Sequence, residues 1–380
     1  MKTNKPFSNE LLTRRHVWNV LGLPFDQVSL DGGVQIAESA ILEKRALFLS
    51  TPNLNFAIAT QSDTDFFQSV VDSDLSVADG MPLIWVAKLL GIPINERVAG
   101  STLFDELSKR PREKKIKVYF FGGQEGIAGQ AHQQLNKTSV GMVSCGFYGP
   151  GFVSVDEMST PEIIDGINQA NPDFVVVALG AQKGQQWIQK NREQLNAPVI
   201  SHLGAVVNFV AGSIERAPVM WQRLGVEWLW RIKQEPTLWK RYLQDGLAFA
   251  GLMFMKVLPL AVYDRYLKRK ACYWVSNNIE SSVSDNVVVL VGSLRNEHLS
   301  PIKEFFSSIL GQQVSEEASR AVILDFLNVT YIDAAFIATL MLFQQLLEKK
   351  GGKLVLLNVS TRINRLLILN NVSQRFFIEK

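Results

Sequence analysis

The chain has 380 residues, 47% of them hydrophobic, and a formal net charge of +3. This is length enough for two or three domains with real apolar cores, and the near balance of charge gives no reason to expect a nucleic-acid partner. Two cysteines, Cys145 and Cys272, are too few for a disulfide framework or a cysteine metal site and suit a reducing cytoplasm. The N-terminal residues, MKTNKPFSNELLTRRHVW, are too polar for a secretory signal.

In chain order, ALFLSTPN is a buried strand with turn residues at its exit, and DFFQSVVDSD a helix. The stretch VADGMPLIWVAKLLGIPINERVAG follows, an apolar run ending on Asp79-Gly80, then a helical LIWVAKLL, then Arg97 and Ala99-Gly100. KVYFFGG, DFVVVALG and PVISHLG are further strands, with GIAGQAHQQL and GQQWIQKNREQL as helices between them. Strands alternating with helices predict an α/β fold, a mostly parallel, Rossmann-like sheet with flanking helices over residues 1–210. In such sheets ligands sit at the carboxyl ends of the strands, where these motifs fall.

Residues 211–275 form a helical, basic appendage. Arg216, Arg223, Arg231, Lys233, Lys240 and Arg241 are interleaved with Trp221, Trp228, Trp230 and Trp239, half of the chain's eight tryptophans. Arg265, Lys268, Arg269 and Lys270 make a second basic cluster. Cations mixed with Trp suit an anionic membrane surface. GLAFAGLMFMKVLPLAVY, residues 246–263, approaches spanning length, but Lys256 and Pro259 interrupt it, favouring interfacial packing or a subunit interface in a homo-oligomer. SNNIESSVSDN, residues 276–286, is polar enough to be a linker. Residues 287–380 restart a small α/β pattern: strands NVVVLVGSL, RAVILDFLNVTYID and KLVLLNVS, with helices SPIKEFFSSILGQ, capped at Ser300, AAFIATLMLFQQLLEKKG and RINRLLILNNV.

Several residues have both a chemical and a plain structural reading. Asp79 is placed to be a general base, or is simply a turn residue. Thr51 and Asn53 at a strand exit suit a sugar or phosphate, or cap a helix. Gly122 and Gly123 open a loop whose helix amides could cradle pyrophosphate, or make a tight turn. Their spacing does not match the dinucleotide fingerprint, so a nicotinamide oxidoreductase would rest on little. Asp63-Thr64-Asp65 and Asp72-Ser73-Asp74 match the short metal-binding DxD pattern, but Asp63 and Asp65 stand where a helix begins and capping explains them. The four histidines have no zinc-site spacing, and neither a nucleophile elbow nor a P-loop is present. No metal and no cofactor are expected.

Taken together and in order, TPN, ADGMPLIW, ERVAG, FFGG, NPDFVVVALG, GAVVNFVAG, ERAP and QRLGVEWLWR with QEP resemble the WecG/TagA/CpsF glycosyltransferases, from about Phe48 to Leu243. The resemblance implies an inverting, metal-independent hexosyl- or N-acetylhexosaminyltransferase. Its donor would be a nucleotide sugar, a UDP-sugar, and its acceptor a saccharide on undecaprenyl pyrophosphate, in surface or exopolysaccharide synthesis. It implies Asp79 as the base with Thr51 beside it in the catalytic group. Asn53, Arg97, Gly122 and Gly123 become substrate contacts, and Arg231 and Arg241 contacts to the lipid pyrophosphate. The enzyme would be cytoplasmic, peripheral on the inner face of the membrane.

The chain departs from that pattern in the donor region. Gln182, Gly184 and Gln185 stand where the family has Pro, Gln and Glu, and Asn208 where it has Asp; Gln182, Gln185 and Asn208 are the substituted donor contacts. Leu238 replaces an expected Arg. Residues 287–380 resemble a STAS domain, but its switch loop reads Asp333-Ala334-Ala335, without the hydroxyl a kinase modifies, which implies constitutive docking of a protein partner. The alternative is a catalytically weak homologue acting as a scaffold or regulator through that domain.

Overall fold

The structure, a computed structural model, describes residues 10–218, 220–221, 225–276, 278–282, 287–312 and 321–379. Arg223 lies outside them. Two compact units emerge. One is built from Val28–Ile84 and Asn95–Gly246; the other takes its described residues from the chain up to Gln27, from Trp85–Ile94 and from Leu247 onward.

The chain opens with helix α1 (Glu10–Arg14) and a hairpin of β1 (Val17–Val20) and β2 (Leu23–Asp26). Leu21 and Gly22 turn the hairpin with φ of 54° and 90°, the left-handed pair that a two-residue hairpin loop needs. Gly22 is also sterically fixed, because a Cβ there would lie 2.9 Å from the Asn371 carbonyl oxygen. Arg15 and Asp26 form a buried bidentate pair at 2.9 and 2.7 Å, and Lys303 donates to the Arg15 carbonyl at 2.7 Å.

The next elements are α2 (Leu30–Leu42), β3 (Leu47–Ser50), α3 (Leu54–Ala59), α4 (Thr64–Val71), β4 (Leu75–Ser76), α5 (Met81–Leu90), α6 (Gly100–Lys109) and β5 (Ile116–Gly122). Then come α7 (Ile127–Thr138), β6 (Met142–Tyr148), α8 (Pro161–Gln169), β7 (Phe174–Ala178), α9 (Ala181–Asn191), β8 (Val199–His202) and α10 (Gly204–Ala211). The strands form one parallel sheet in the order β4-β3-β8-β7-β5-β6. β3 and β7 are buried at every position, which is why they appear in the sequence as unbroken apolar runs. Each sheet face has its own core: Phe104, Phe120 and Phe174 gather on one, and Phe121 stacks on Trp187 at 4.1 Å on the other. Asp63 caps α4 by accepting from the Phe66 amide at 2.8 Å, as its position at a helix start predicts.

A helical segment follows: α11 (Glu227–Gln234), α12 (Trp239–Leu252), a π-turn at Met253–Val257, α13 (Leu258–Lys268) and α14 (Ala271–Trp274). The run Pro236–Lys268 is 33 residues, long and apolar enough to cross a membrane. The final sheet holds β9 (Asn278–Ser282), β10 (Val287–Leu294), β11 (Ala321–Ile332), β12 (Lys353–Leu357) and β13 (Phe377–Glu379), in the order β13-β12-β11-β10-β9. The first four strands of that order are parallel, and β9 is antiparallel to β10. Asn278–Ser282 thus departs from the expected linker: polar residues suffice on an edge strand, whose ladder is made by the backbone. Helices α15 (Leu299–Gln312), α16 (Ala334–Lys349) and α17 (Thr361–Leu369) complete the domain. Helix α15 begins one residue before Ser300, after a 3-10 turn at Asn296–His298, so Ser300 is inside the first turn rather than the cap.

Candidate active site

The exits of β3 and β4 are laced together. The Val77 amide donates to the Ser50 carbonyl at 3.0 Å and the Asp79 amide to the Pro52 carbonyl at 2.9 Å. The Val98 amide donates to the Ala78 carbonyl at 3.0 Å, which draws in the ERVAG loop. These backbone bonds place Thr51, Asn53, Asp79, Arg97 and Gly100 around one point.

Asp79 sits at its centre. Its Oδ1 faces Arg97 Nε at 3.4 Å and Nη2 at 3.5 Å, and its Oδ2 accepts the Gly100 amide at 3.3 Å. Gly100 opens α6, whose cap residue Ala99 has no side chain to offer, so Asp79 satisfies a helix-terminal amide. A Cβ at Gly100 would lie 2.4 Å from Leu203 Cδ2 and 3.2 Å from Thr51 Oγ1, so a larger residue would have to push the Leu203 side chain aside. Arg97 is shared: its Nη2 also donates to Glu227 Oε2 at 2.8 Å. Burial raises the Asp79 pKa above the ordinary carboxylate value. Arg97 opposes that rise, Glu227 adds to it, and the Gly100 amide and Arg231 oppose it in turn. A carboxylate poised in this way can take a proton, and the adjacent cations can face a leaving phosphate.

The other expected residues take varied places. Thr51 is buried beside Gly100, and Asn53 Oδ1 caps α3 through the Phe56 amide at 3.3 Å. Arg231 stands 5.6 Å over the Phe209 ring, near enough to Asp79 to act on its charge. Gly122 and Gly123 turn with φ of 97° and 90° at the end of β5; a Cβ on Gly122 would meet the Ala178 carbonyl at 2.7 Å. Asn208 is half-buried on α10. Arg241 is exposed, over the Tyr242 ring at 5.5 Å. Two of the substituted donor positions turn elsewhere. Gln182 donates to Asp63. Gln185, an expected donor contact, is fully buried, and its amide donates to Ser50 Oγ at 3.1 Å, at the end of the strand just before Thr51.

Three contributors were not foreseen. Glu227 lies within the recognised GVEWLWR motif, and a lone carboxylate in a basic stretch was its only signal. Gly100 looked like a small residue and supplies the amide that Asp79 accepts. His202 fills the space beside Gly184, where a Cβ would come 2.2 Å from the ring; its Nε2 donates to the Leu179 carbonyl at 2.6 Å, and burial holds its pKa low and the ring neutral.

A parallel sheet with a buried carboxylate paired to an arginine at its strand ends has the layout of an α/β enzyme. The model of the glycosyl transferase WecG/TagA/CpsF family matches residues 18–261, and the chain belongs to that family. Residues 277–379 match the family described as Mlab, STAS domain, and form the C-terminal STAS domain. Curated relatives include a Bacillus spizizenii protein, 28% identical over 222 residues that cover 58% of this chain and 84% of the relative. One from Bacillus subtilis is 26% identical, covering 58% and 85%, and one from Staphylococcus aureus strain MW2 is 23% identical, covering 59% and 85%. Each bears the name N-acetylglucosaminyldiphosphoundecaprenol N-acetyl-beta-D-mannosaminyltransferase. The chain is similar to them in its glycosyltransferase portion.

Proposed function

We propose that this glycosyltransferase moves an N-acetylhexosamine or related hexose from a UDP-sugar onto the saccharide of an undecaprenyl-pyrophosphate-linked acceptor, with inversion. The observation that carries this reading is the Asp79 carboxylate, its pKa raised by burial, set between Arg97 and the Gly100 amide. Asp79 takes the proton from the acceptor hydroxyl as that oxygen bonds to the anomeric carbon. The bond from that carbon to the diphosphate breaks, and the departing charge faces Arg97 and Arg231. Thr51 and Asn53 orient the sugars, and no covalent enzyme intermediate is required. The lipid acceptor and the names of the relatives support work at a membrane, on its cytoplasmic face. So do the exposed apolar residues Leu243, Leu247, Phe254, Leu258 and Val262, with Arg241 and the second basic cluster nearby in the chain. An intact base and arginine pair favour an active enzyme over a silent scaffold.

The test is a transfer assay with a panel of UDP-sugars and a short-chain prenyl-pyrophosphate saccharide, run with and without EDTA. One donor is expected to react, in EDTA as well. Asp79→Asn should lower turnover roughly 100- to 10,000-fold with the fold intact. Turnover equal to the parent would remove Asp79 from the base role, and transfer with no donor would overturn the whole reading.

A further inference from the structure

Helix α13 carries apolar residues on two sides, one buried and one exposed. Leu260, Ala261 and Leu267 are buried, with Asp264 also facing the STAS domain, while a second set of large apolar residues faces solvent. Asp264 Oδ1 accepts from the Tyr331 hydroxyl at 2.5 Å and Asp264 Oδ2 pairs with Lys268 at 2.6 Å, while Arg365 stands 4.5 Å over the Tyr263 ring. Just before the helix, Lys256 donates to the Ile368 carbonyl at 3.1 Å. Phe254, Leu258, Val262 and Tyr266, spaced by four residues, are 72%, 38%, 68% and 52% exposed. A helix whose outer partner is water carries the reverse pattern.

The surface that holds this side is the end of β11, just before the switch loop, together with α17. Asp333 caps the Phe336 amide at 2.8 Å and accepts the Asn296 amide at 2.8 Å. Thr330 Oγ1 donates to the Cys272 carbonyl at 2.7 Å, Tyr273 meets the Tyr331 ring edge-on at 5.0 Å, and Arg295 lies 4.5 Å over Tyr273. Between loop and helix is a cavity of about 240 Å³ lined by Asp264, Lys268, Arg295, Asp333 and Ala334, among others. A phosphoryl or carboxylate group at position 334 would add negative charge beside Asp264 and Asp333. The missing hydroxyl therefore suits a face that stays occupied.

We propose that the switch face of this STAS domain docks the chain's own α13 and α14. The domain acts as a brace that turns the Phe254-to-Tyr266 stripe toward lipid, with Arg265, Arg269 and Lys270 exposed at one end for anionic headgroups. The lipid-facing part rests on the membrane reading above; the docking part does not. A separate protein partner on this face would have to displace the helix.

Full-length protein carrying Tyr331→Phe, and separately Ala334→Glu, is compared with the parent by amide hydrogen exchange without lipid, then by flotation with phosphatidylglycerol–phosphatidylcholine vesicles. Exchange over residues 258–274 should rise about tenfold in Tyr331→Phe and more in Ala334→Glu, with β12 unchanged as the folding control. Vesicle recovery should fall in the same order. Should Ala334→Glu lose protection in β12 as well, the near-isosteric Tyr331→Phe decides. Unchanged exchange over 258–274 overturns the brace, and raised exchange with full vesicle recovery overturns its orienting role. A parent that fails to float sinks the membrane reading, while the exchange data still decide the docking.

Discussion

At the scale of single residues, Asp79 is governed by charges that arrive from distant parts of the chain. Arg97 comes from 18 residues away and Glu227, through Arg97, from 130 residues beyond that. Because Glu227 helps to raise the Asp79 pKa, Glu227→Gln should move the acid limb of the kcat/KM profile to lower pH. Arg97→Gln should move it to higher pH and cost on the order of a hundredfold in rate. Shifts in the same direction for both variants would contradict this electrostatic account. Asp79 and Arg97 were legible because a carboxylate on a turn after an apolar run, and a cation in a loop, are local patterns. Glu227 was not, since nothing in EWLWR says that its carboxylate reaches back to Arg97. Nor could the sequence say that the Gln185 amide turns toward Ser50, 135 residues earlier.

At the scale of elements, the central strands and their helices are visible in the sequence because both sheet faces are covered and the strands are unbroken apolar runs. The edges are harder. β6, MVSCGFY, is half small or polar and ends exposed, and β9, NIESS, has almost no apolar content, yet both pair through their backbones. Helix α9 carries much of one core through Trp187, which is fully buried, stacked on Phe121 and bonded to the Met158 carbonyl at 2.9 Å. Trp187→Ala should cost about 3–5 kcal/mol in chemical denaturation; a loss under about 1 kcal/mol would mean the site collapses to fill the hole. Helix α16 has a pH-sensitive cap. Burial pushes the Asp333 pKa from 3.8 to about 6. The folded state therefore holds a proton that the unfolded chain releases. The stabilisation this gives is complete below about pH 4 and lost as pH rises through about 6. Asp333→Asn should flatten the stability profile of the domain between those values, and an unchanged slope would refute the assignment.

At the scale of the whole molecule, a glycosyltransferase fold and a STAS domain share one chain, and a 33-residue helical run carries the exposed apolar stripe. Replacing Phe254 and Val262 together by Ser should cut recovery with anionic vesicles roughly tenfold while leaving thermal stability near the parent's, because both side chains already face solvent. Equal recovery would place the membrane contact elsewhere. The sequence by itself determined the α/β alternation, the order of the family's motifs, the candidate base and the absence of a switch hydroxyl. All of these are written in local periodicity and residue identity. Only the tertiary structure decided which carboxylate shares Arg97, that Gln185 bonds Ser50, that NIESS is a strand, and that α13 turns Asp264 inward. Those outcomes depend on which groups meet when separate elements pack, two of them across more than a hundred residues of chain. Burial and pairing then set both charge and orientation.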